Sequence, residues 1–312
     1  MSSKSTRNAL MTALGLATAA GLVFAPGAAT SAVASGDNNF ADLPDEITLT
    51  GVVRDFRARN ETNGHPDFEM SGSTEAGYGH YVGMVQAMLD SDKKPVAGGR
   101  NAHKISVNWT DSQNRPINPA LYNPQLGDKA GSWSKDTYTG WITSPDQFGQ
   151  WFRTTPGVNT AKPLSITLHR VDGTNRYVFD DREDPAYSGH GFFPINNDLF
   201  GNYASTGKNF HFTYELATDF VYLPGQGQVF TFRGDDDVWV FVNDQLVIDL
   251  GGVHSAATQT IELDRLTNLR PNQVNSLRFF FAERHTTQSN FRIETTINLR
   301  TAKLPNTSAL YD

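Results

Sequence analysis

The stretch from Phe230 to Gly252, FTFRGDDDVWVFVNDQLVIDLGG, constrains this chain more than any other. Val229 to Phe232 is a β-prone run that Gly234 interrupts, and three consecutive carboxylates follow, Asp235, Asp236 and Asp237. Val238 to Val242 is then almost wholly apolar. Asn243-Asp244 suits a two-residue hairpin turn, Leu246 to Ile248 returns the chain, and Gly251-Gly252 closes it. Three adjacent carboxylates at the mouth of a buried hairpin repel one another, in a strand context that disfavours Asp. Two arrangements relieve this. One is a hard cation with oxygen ligands; the other is a solvated turn whose aspartates accept hydrogen bonds from nearby backbone N–H groups. The residues alone leave both open.

What surrounds this stretch is β-rich. The 20 Phe, 10 Tyr and 5 Trp among 312 residues supply ample core for an all-β domain. Residues 1–34 read as a secretory signal peptide: Lys4 and Arg7 form the positive end, Ala9 to Phe24 the apolar run, and Ala32-Val33-Ala34 the small-residue cleavage site. That predicts a secreted, extracellular or cell-surface protein. The apolar run is too short and too rich in Ala and Gly to favour a membrane span, and no later stretch is long enough. With Lys4 and Arg7 gone, the formal charge of −7 becomes −9, which argues against nucleic acid as a partner. There is no Cys, so an exported chain must rely on a large core or on metal.

In order, residues 35–46 form a polar arm, 47–300 one domain, and 301–312 a tail without apolar period. Ile47 to Phe56 is a strand of mixed alternation. Tyr78 to Leu89 has helical spacing of Met84, Val85, Met88 and Leu89, weakened by two glycines. Asp90 to Gly140 reads as long loops with a short strand around Lys104 to Trp109. Ser144 as N-cap, Pro145 at N1 and Gln147 in a capping box predict one short helix, with Phe148, Trp151 and Phe152 on one face. After it, period two returns. Leu164 to Val171 and Arg176 to Phe179 flank Asp172-Gly173, Phe210 to Leu216 alternates, and so do Leu277 to Phe281 and Phe291 to Leu299. Strands at this spacing with little helix predict an antiparallel sandwich or barrel. Because recognisable motifs span the chain without a linker, the strand at Ile47 to Phe56 is expected beside that at Phe291 to Leu299.

FRGDDDVWVFVNDQLVIDLGGVH, followed by FFFAERHTTQSNFRIET, resembles the fibro-slime domain, a variant of the PA14-like superfamily. VRDF with HPDFE, the FGQWFRTTPGVN segment and GFFPINNDLFGN leading into HFTYEL agree, so the resemblance runs from about Gly51 to Leu299. It implies a secreted PA14-like β-sandwich or barrel with long loops. Such domains occur in adhesins, in slime-mould matrix proteins and in proteins of cellulose-degrading bacteria. Some relatives are calcium-dependent lectins in which two adjacent aspartates, joined by a cis peptide, hold the ion together with a loop asparagine, and sugar hydroxyls coordinate the same Ca²⁺. Carried over, the pair falls on Asp235 and Asp236, with Asp236 and Asp237 as the alternative register. Asp237 stands where relatives have glycine, and Asn290 matches the loop asparagine. Ca²⁺ is thus expected on Asp235, Asp236 and Asn290, with Asp237 and His285 at the ligand-binding rim.

Plain readings stand beside these. Arg284 can pair with the aspartates and make the cluster an ion-pair network without metal. His65, Asp67 and Glu69 suit a structural turn better than a zinc site, which lacks a convergent third ligand. Trp133, Tyr138 and Trp141 suit either sugar stacking or the core. Leu304-Pro305-Asn306-Thr307 resembles a sorting signal but no apolar tail follows, and Asn60, Asn108 and Asn306 begin glycosylation sequons. The first expectation is a Ca²⁺-dependent carbohydrate-binding or adhesion module. A structural matrix or envelope protein with a stabilising metal comes next. A glycoside hydrolase comes last, because nothing singles out its candidate carboxylates Asp249 and Glu283; no enzyme is expected.

Overall fold

In the computed structural model of the chain, the residues described are 40, 42–70 and 77–300. The signal peptide at 1–34, positions 35–39 and 41 of the polar arm, and the tail 301–312 lie outside them. Strand accounts for 39% of the structure and helix for 5%, so the all-β expectation holds. The strands are β1 (Glu46–Phe56), β2 (Tyr81–Val82), β3 (His103–Val107), β4 (Ser132–Trp133), β5 (Asn159–Arg170) and β6 (Tyr177–Asp180). They continue as β7 (Phe212–Val221), β8 (Val229–Asp235), β9 (Asp237–Val242), β10 (Gln245–Leu250), β11 (Ala257–Glu262), β12 (Val274–Glu283) and β13 (Asn290–Thr295).

Ten strands form one antiparallel sheet in the order β10-β9-β12-β7-β1-β5-β6-β13-β8-β11. Its two ends meet: Gln259 of β11 reaches the main chain of Asp249 in β10, accepting from its N–H at 2.8 Å and donating to its carbonyl at 2.9 Å. The sheet is therefore a nearly closed barrel. The small sheet β2-β3-β4 stands outside it.

The expected neighbourhood of the first and last long strands is not what the chain adopts. One edge of β1 is taken by β5 in unbroken register, from Glu46↔His169 to Phe56↔Asn159, and the other by β7 from Val52↔Glu215 to Asp55↔Phe212. No edge remains for β13, which pairs with β6 and β8. The C-terminal residues dock instead on β7, where Leu299 bridges Phe220 and the Arg300 N–H bonds the Asp219 carbonyl at 2.9 Å.

Two apolar clusters lie on either side of a wall made by β9 and β12. Val238, Val240, Val242, Phe279 and Phe281 face the barrel interior. Trp239, Phe241, Phe280 and Ala282 face an outer cluster with Phe68, Met84, Phe148, Trp151 and Phe152. A strand buried on both faces needs no alternation, which is why Val238 to Val242 reads as continuous apolar sequence. The helix forms at the expected cap, the Ser144 hydroxyl accepting from the Gln147 N–H at 3.2 Å, but lasts only from Pro145 to Phe148. Phe148, Trp151 and Phe152 gather round Trp239 at ring separations of 5.8, 6.3 and 6.5 Å. The segment from Tyr78 to Leu89 forms no helix; Gly83 is left-handed (φ 83°) directly after β2 and breaks the spacing.

Candidate functional site

The acidic turn joins β8 to β9. Asp235 ends one strand, Asp237 begins the next, and the peptide bond between Asp235 and Asp236 is cis. Gly234 lets β13 approach closely, since a Cβ there would lie 2.2 Å from the Asn290 carbonyl oxygen. That approach sets Asn290 against Asp235, its backbone N–H donating to Oδ1 at 2.6 Å and its side-chain N–H to Oδ2 at 2.8 Å. The Asn290 amide oxygen accepts in turn from Arg182 Nη2 at 3.0 Å.

The three aspartates have different partners. Asp237 forms a buried ion pair with Arg284, whose Nε donates to Oδ2 and whose Nη2 donates to Oδ1 at 3.1 Å; the Gly252 N–H adds a bond of 2.6 Å. Arg284 also donates to the carbonyls of Gly140 at 2.8 Å and Trp141 at 3.2 Å, and lies over the Trp151 ring at 5.0 Å. Asp236 has one weak bond, from the His254 N–H to Oδ1 at 3.3 Å, and its Oδ2 has no partner. Both oxygens of Glu283 are buried without a partner. Glu283 follows Ala282, which faces Asp237 across β12 and β9, so the strand register brings Glu283 alongside Asp236.

Asp235, Asp236 and Asp237 are 2%, 3% and 0% exposed, which rules out the solvated turn. The ion-pair reading accounts for Asp237 alone. Burial pushes the Asp236 carboxyl well up, reinforced by the charge of Asp237, and pushes Glu283 well up, reinforced by Asp236 and Asp235. Burial also raises Asp235, against the hydrogen bonds from Asn290. Two buried carboxyl groups with unpaired oxygens, near enough for the charge of Asp236 to raise Glu283, are relieved by a proton or by a cation. Among the described residues, no group of three or more His, Cys, Asp or Glu is placed so that it could hold a metal ion. Two carboxylates fit a hard cation that completes its shell with backbone oxygens and water.

The remaining sequence candidates disperse. His285 turns away from Asp236, its Nε2 lying 3.2 Å from the Tyr78 hydroxyl and its ring against Tyr78 and Trp141. Asp67 accepts from the Thr143 N–H at 2.8 Å and the Trp151 indole at 3.0 Å, while Glu69 bonds His211 at 3.0 Å. His65, Asp67 and Glu69 therefore build a turn. Asp249 is engaged by the Gly83 N–H and the Trp239 indole at 2.8 and 3.1 Å, and burial pushes it up to about 7. Trp141 is in the core, Tyr138 packs against the outer cluster, and Trp133 is 43% exposed. Glu283, with Arg284 and His285, is legible from the sequence as the end of a buried strand at the rim of this site; a part for its carboxyl group in holding a cation was not expected.

The sequence profile of the PA14 domain matches residues 226–306. The chain is similar to three Dictyostelium discoideum proteins of one set. It is 36% identical to protein psiC over 84% of this chain and 43% of that one, and 32% identical to protein psiR over 83% and 22%. With protein psiQ the identity is 42% over 51% of this chain and 16% of that one. The chain thus spans less than half the length of these curated relatives. Among solved structures, it is similar to a PA14 sugar-binding domain from an RTX adhesin (17% identity, TM-score 0.22, covering 30% of this chain and 53% of that one). It is also similar to the PA14 domain of an MpAFP antifreeze protein (10% identity, TM-score 0.23, covering 77% and 99%).

Proposed function

We propose that this chain, whose residues 226–306 match the PA14 domain and which is similar to the psi proteins over most of its own length, is a secreted, non-catalytic carbohydrate-binding or adhesion module organised by Ca²⁺. The observation that supports this reading is the pair of buried, unpartnered carboxyl groups, Asp236 and Glu283, beside the cis-linked Asp235. Asp236 Oδ2 and the Glu283 oxygens would hold the ion, and Asp235 retains free lone pairs beyond its bonds to Asn290. Bound Ca²⁺ would neutralise this charge and offer coordination positions to sugar hydroxyls. Asn290 serves the same end by positioning Asp235, while its own oxygen is held by Arg182.

The test is thermal unfolding in EDTA and in millimolar CaCl₂, alongside a glycan array with and without EDTA. A ligand that binds only the folded state at a hundred times its Kd stabilises by about 2.7 kcal/mol. The expected result is a higher Tm in calcium, absent from Asp236→Ala, and glycan binding that EDTA removes. Equal melting temperatures would overturn the cation reading.

One observation favours a second reading. Asp235, Asp236 and Glu283 are 2%, 3% and 0% exposed, so an ion among them is enclosed. That suits a structural matrix or envelope protein whose metal only stabilises, and it predicts the Tm shift without EDTA-sensitive glycan binding.

A further inference from the structure

Outside the acidic turn, the small sheet β2-β3-β4 carries an aromatic stack that neither core cluster uses. Trp133 of β4 touches two other rings. His103 stacks on it with centroids 5.1 Å apart and planes at 19°, and Trp109 leans against it at 4.7 Å and 40°. Trp133 is 43% exposed and Val107, on the same strand as His103, 57%. Neither the Trp109 nor the Trp133 indole N–H has a hydrogen-bond acceptor among the described residues, in contrast to Trp151 and Trp239, whose indoles are bound to Asp67 and Asp249. Exposed aromatic surface rimmed by polar groups marks a ligand site more often than chance packing does.

The stack is held in place. The His103 ring is fixed by its Nδ1 contact with the Ser134 carbonyl at 3.1 Å. Beneath Trp109 lies Gly131, where a Cβ would fall 2.6 Å from the indole and 2.1 Å from the Val107 carbonyl oxygen; only glycine admits this packing. The arm carrying both tryptophans is pinned to the barrel at two points. Arg265 donates to both oxygens of Asp128 at 2.8 and 2.5 Å, and Arg115 joins Asp111 to Glu262 at 2.5 and 2.9 Å. A rigid, pre-oriented tryptophan loses little entropy on binding.

The sheet runs on from the acidic turn. Trp133 faces Ile105 across β4 and β3, the Ile105 N–H bonds the His80 carbonyl at 2.8 Å, the His80 ring meets His254 at 5.6 Å, and the His254 N–H reaches Asp236. Two strand spacings and a ring contact separate the stack from the acidic turn, on the order of 15 Å.

From these observations we infer that His103, Trp109 and Trp133 form a second carbohydrate subsite, independent of the cation, which takes a sugar ring further along the same glycan chain. The chemistry suits sugars. Their C–H faces pack on exposed aromatic surface, and their hydroxyls accept from the two free indole N–H groups. The ligand class is accordingly an oligo- or polysaccharide chain, since a single terminal sugar cannot reach both places. This inference rests on the glycan-binding reading above but not on the metal.

The experiment measures binding of the full chain to cello-, xylo- and chito-oligosaccharides of one to six units, for wild type, Trp133→Ala and Trp133→Phe, each in CaCl₂ and in EDTA. Trp133 is exposed, so an unchanged Tm certifies that the variants fold. The expected result is affinity that grows with chain length, a loss of about three- to tenfold in Trp133→Ala, and partial recovery in Trp133→Phe, in both media. Binding that EDTA removes but Trp133→Ala leaves intact would overturn the subsite and leave the calcium reading standing. Binding that Trp133→Ala weakens and EDTA leaves untouched would support the subsite and overturn calcium dependence. Absence of binding to every oligosaccharide would overturn both. A change in oligomeric state of Trp133→Ala without any change in glycan affinity would assign the stack to a protein contact and overturn the subsite.

Discussion

The side-chain amide of Gln259 sits opposite the main chain of Asp249, accepting from its N–H and donating to its carbonyl, which His80 Nε2 also contacts at 2.9 Å. A single side chain thus does at the seam of the barrel what a strand partner does elsewhere, and both groups are buried. Gln259→Leu keeps the bulk and removes both bonds, leaving the Asp249 N–H unpaired in the interior and its carbonyl with His80 Nε2 alone. We expect a loss of about 1–3 kcal/mol, read from urea unfolding, with faster hydrogen exchange at the Asp249 amide. An unchanged midpoint would show that the seam is held by other contacts.

Arg284 and Asp237 are each wholly buried, and each is the other's charge partner. Arg284→Ala leaves an uncompensated carboxylate in the interior and should cost about 3–5 kcal/mol. Replacing both residues by apolar side chains of similar volume should recover much of that loss. A double-mutant cycle measures the coupling; additive single losses would contradict a specific pair.

Glu283→Gln tests the carboxyl pair directly. The variant should lose calcium-dependent stabilisation, yet in EDTA at pH 8 it should melt at or above the wild-type temperature, because a neutral amide replaces a carboxyl group whose ionisation burial and the charges of Asp236 and Asp235 oppose. If the variant is less stable than wild type in both media, Glu283 makes a structural contribution unrelated to a cation.

Burial lifts Asp55 and Asp249 from ordinary carboxylate values to about 7. A carboxyl whose folded value lies above its unfolded value binds more protons when folded, so stability falls as pH rises from about 4 to about 7 and levels off above. Each group contributes on the order of 4 kcal/mol to this fall. In EDTA the protein should therefore melt higher at pH 5 than at pH 8. Asp55→Asn should flatten the pH dependence whatever its own cost in stability, and a slope unchanged by that substitution would assign the effect to other groups.

The strands were legible where one face is buried and the other is not, as in Phe291 to Thr295, since alternation is then forced. The turn at Asn243-Asp244 was legible too, and both residues adopt the left-handed conformation (φ 47° and 66°) that such a hairpin requires. Strand order was not legible. The choice of β5 over β13 as partner of β1 is settled by a register of eleven residue pairs spread over the whole length of both strands, which no local pattern encodes. At the acidic turn, it was the resemblance to the fibro-slime domain that marked Asp235, Asp236 and Asn290. It could not show that Arg284 would choose Asp237, or that Glu283 would stay unpaired, because both depend on how β12 lies beside β9.

The order of strands in the barrel bears on how this architecture can be divided. Residues 226–306 hold β8 to β13, and these six strands form two ladders, β10-β9-β12 and β13-β8-β11, that meet only at the seam where Gln259 holds Asp249. The four strands that join the groups, β7, β1, β5 and β6, all precede residue 226. A fragment cut at 226 would leave β12 and β13 as bare edges with unpaired backbone, open to pairing with other chains. The stretch that carries the acidic turn is therefore no transplantable module. The first half of the chain closes the barrel on the side away from the seam, filling the gap between β12 and β13.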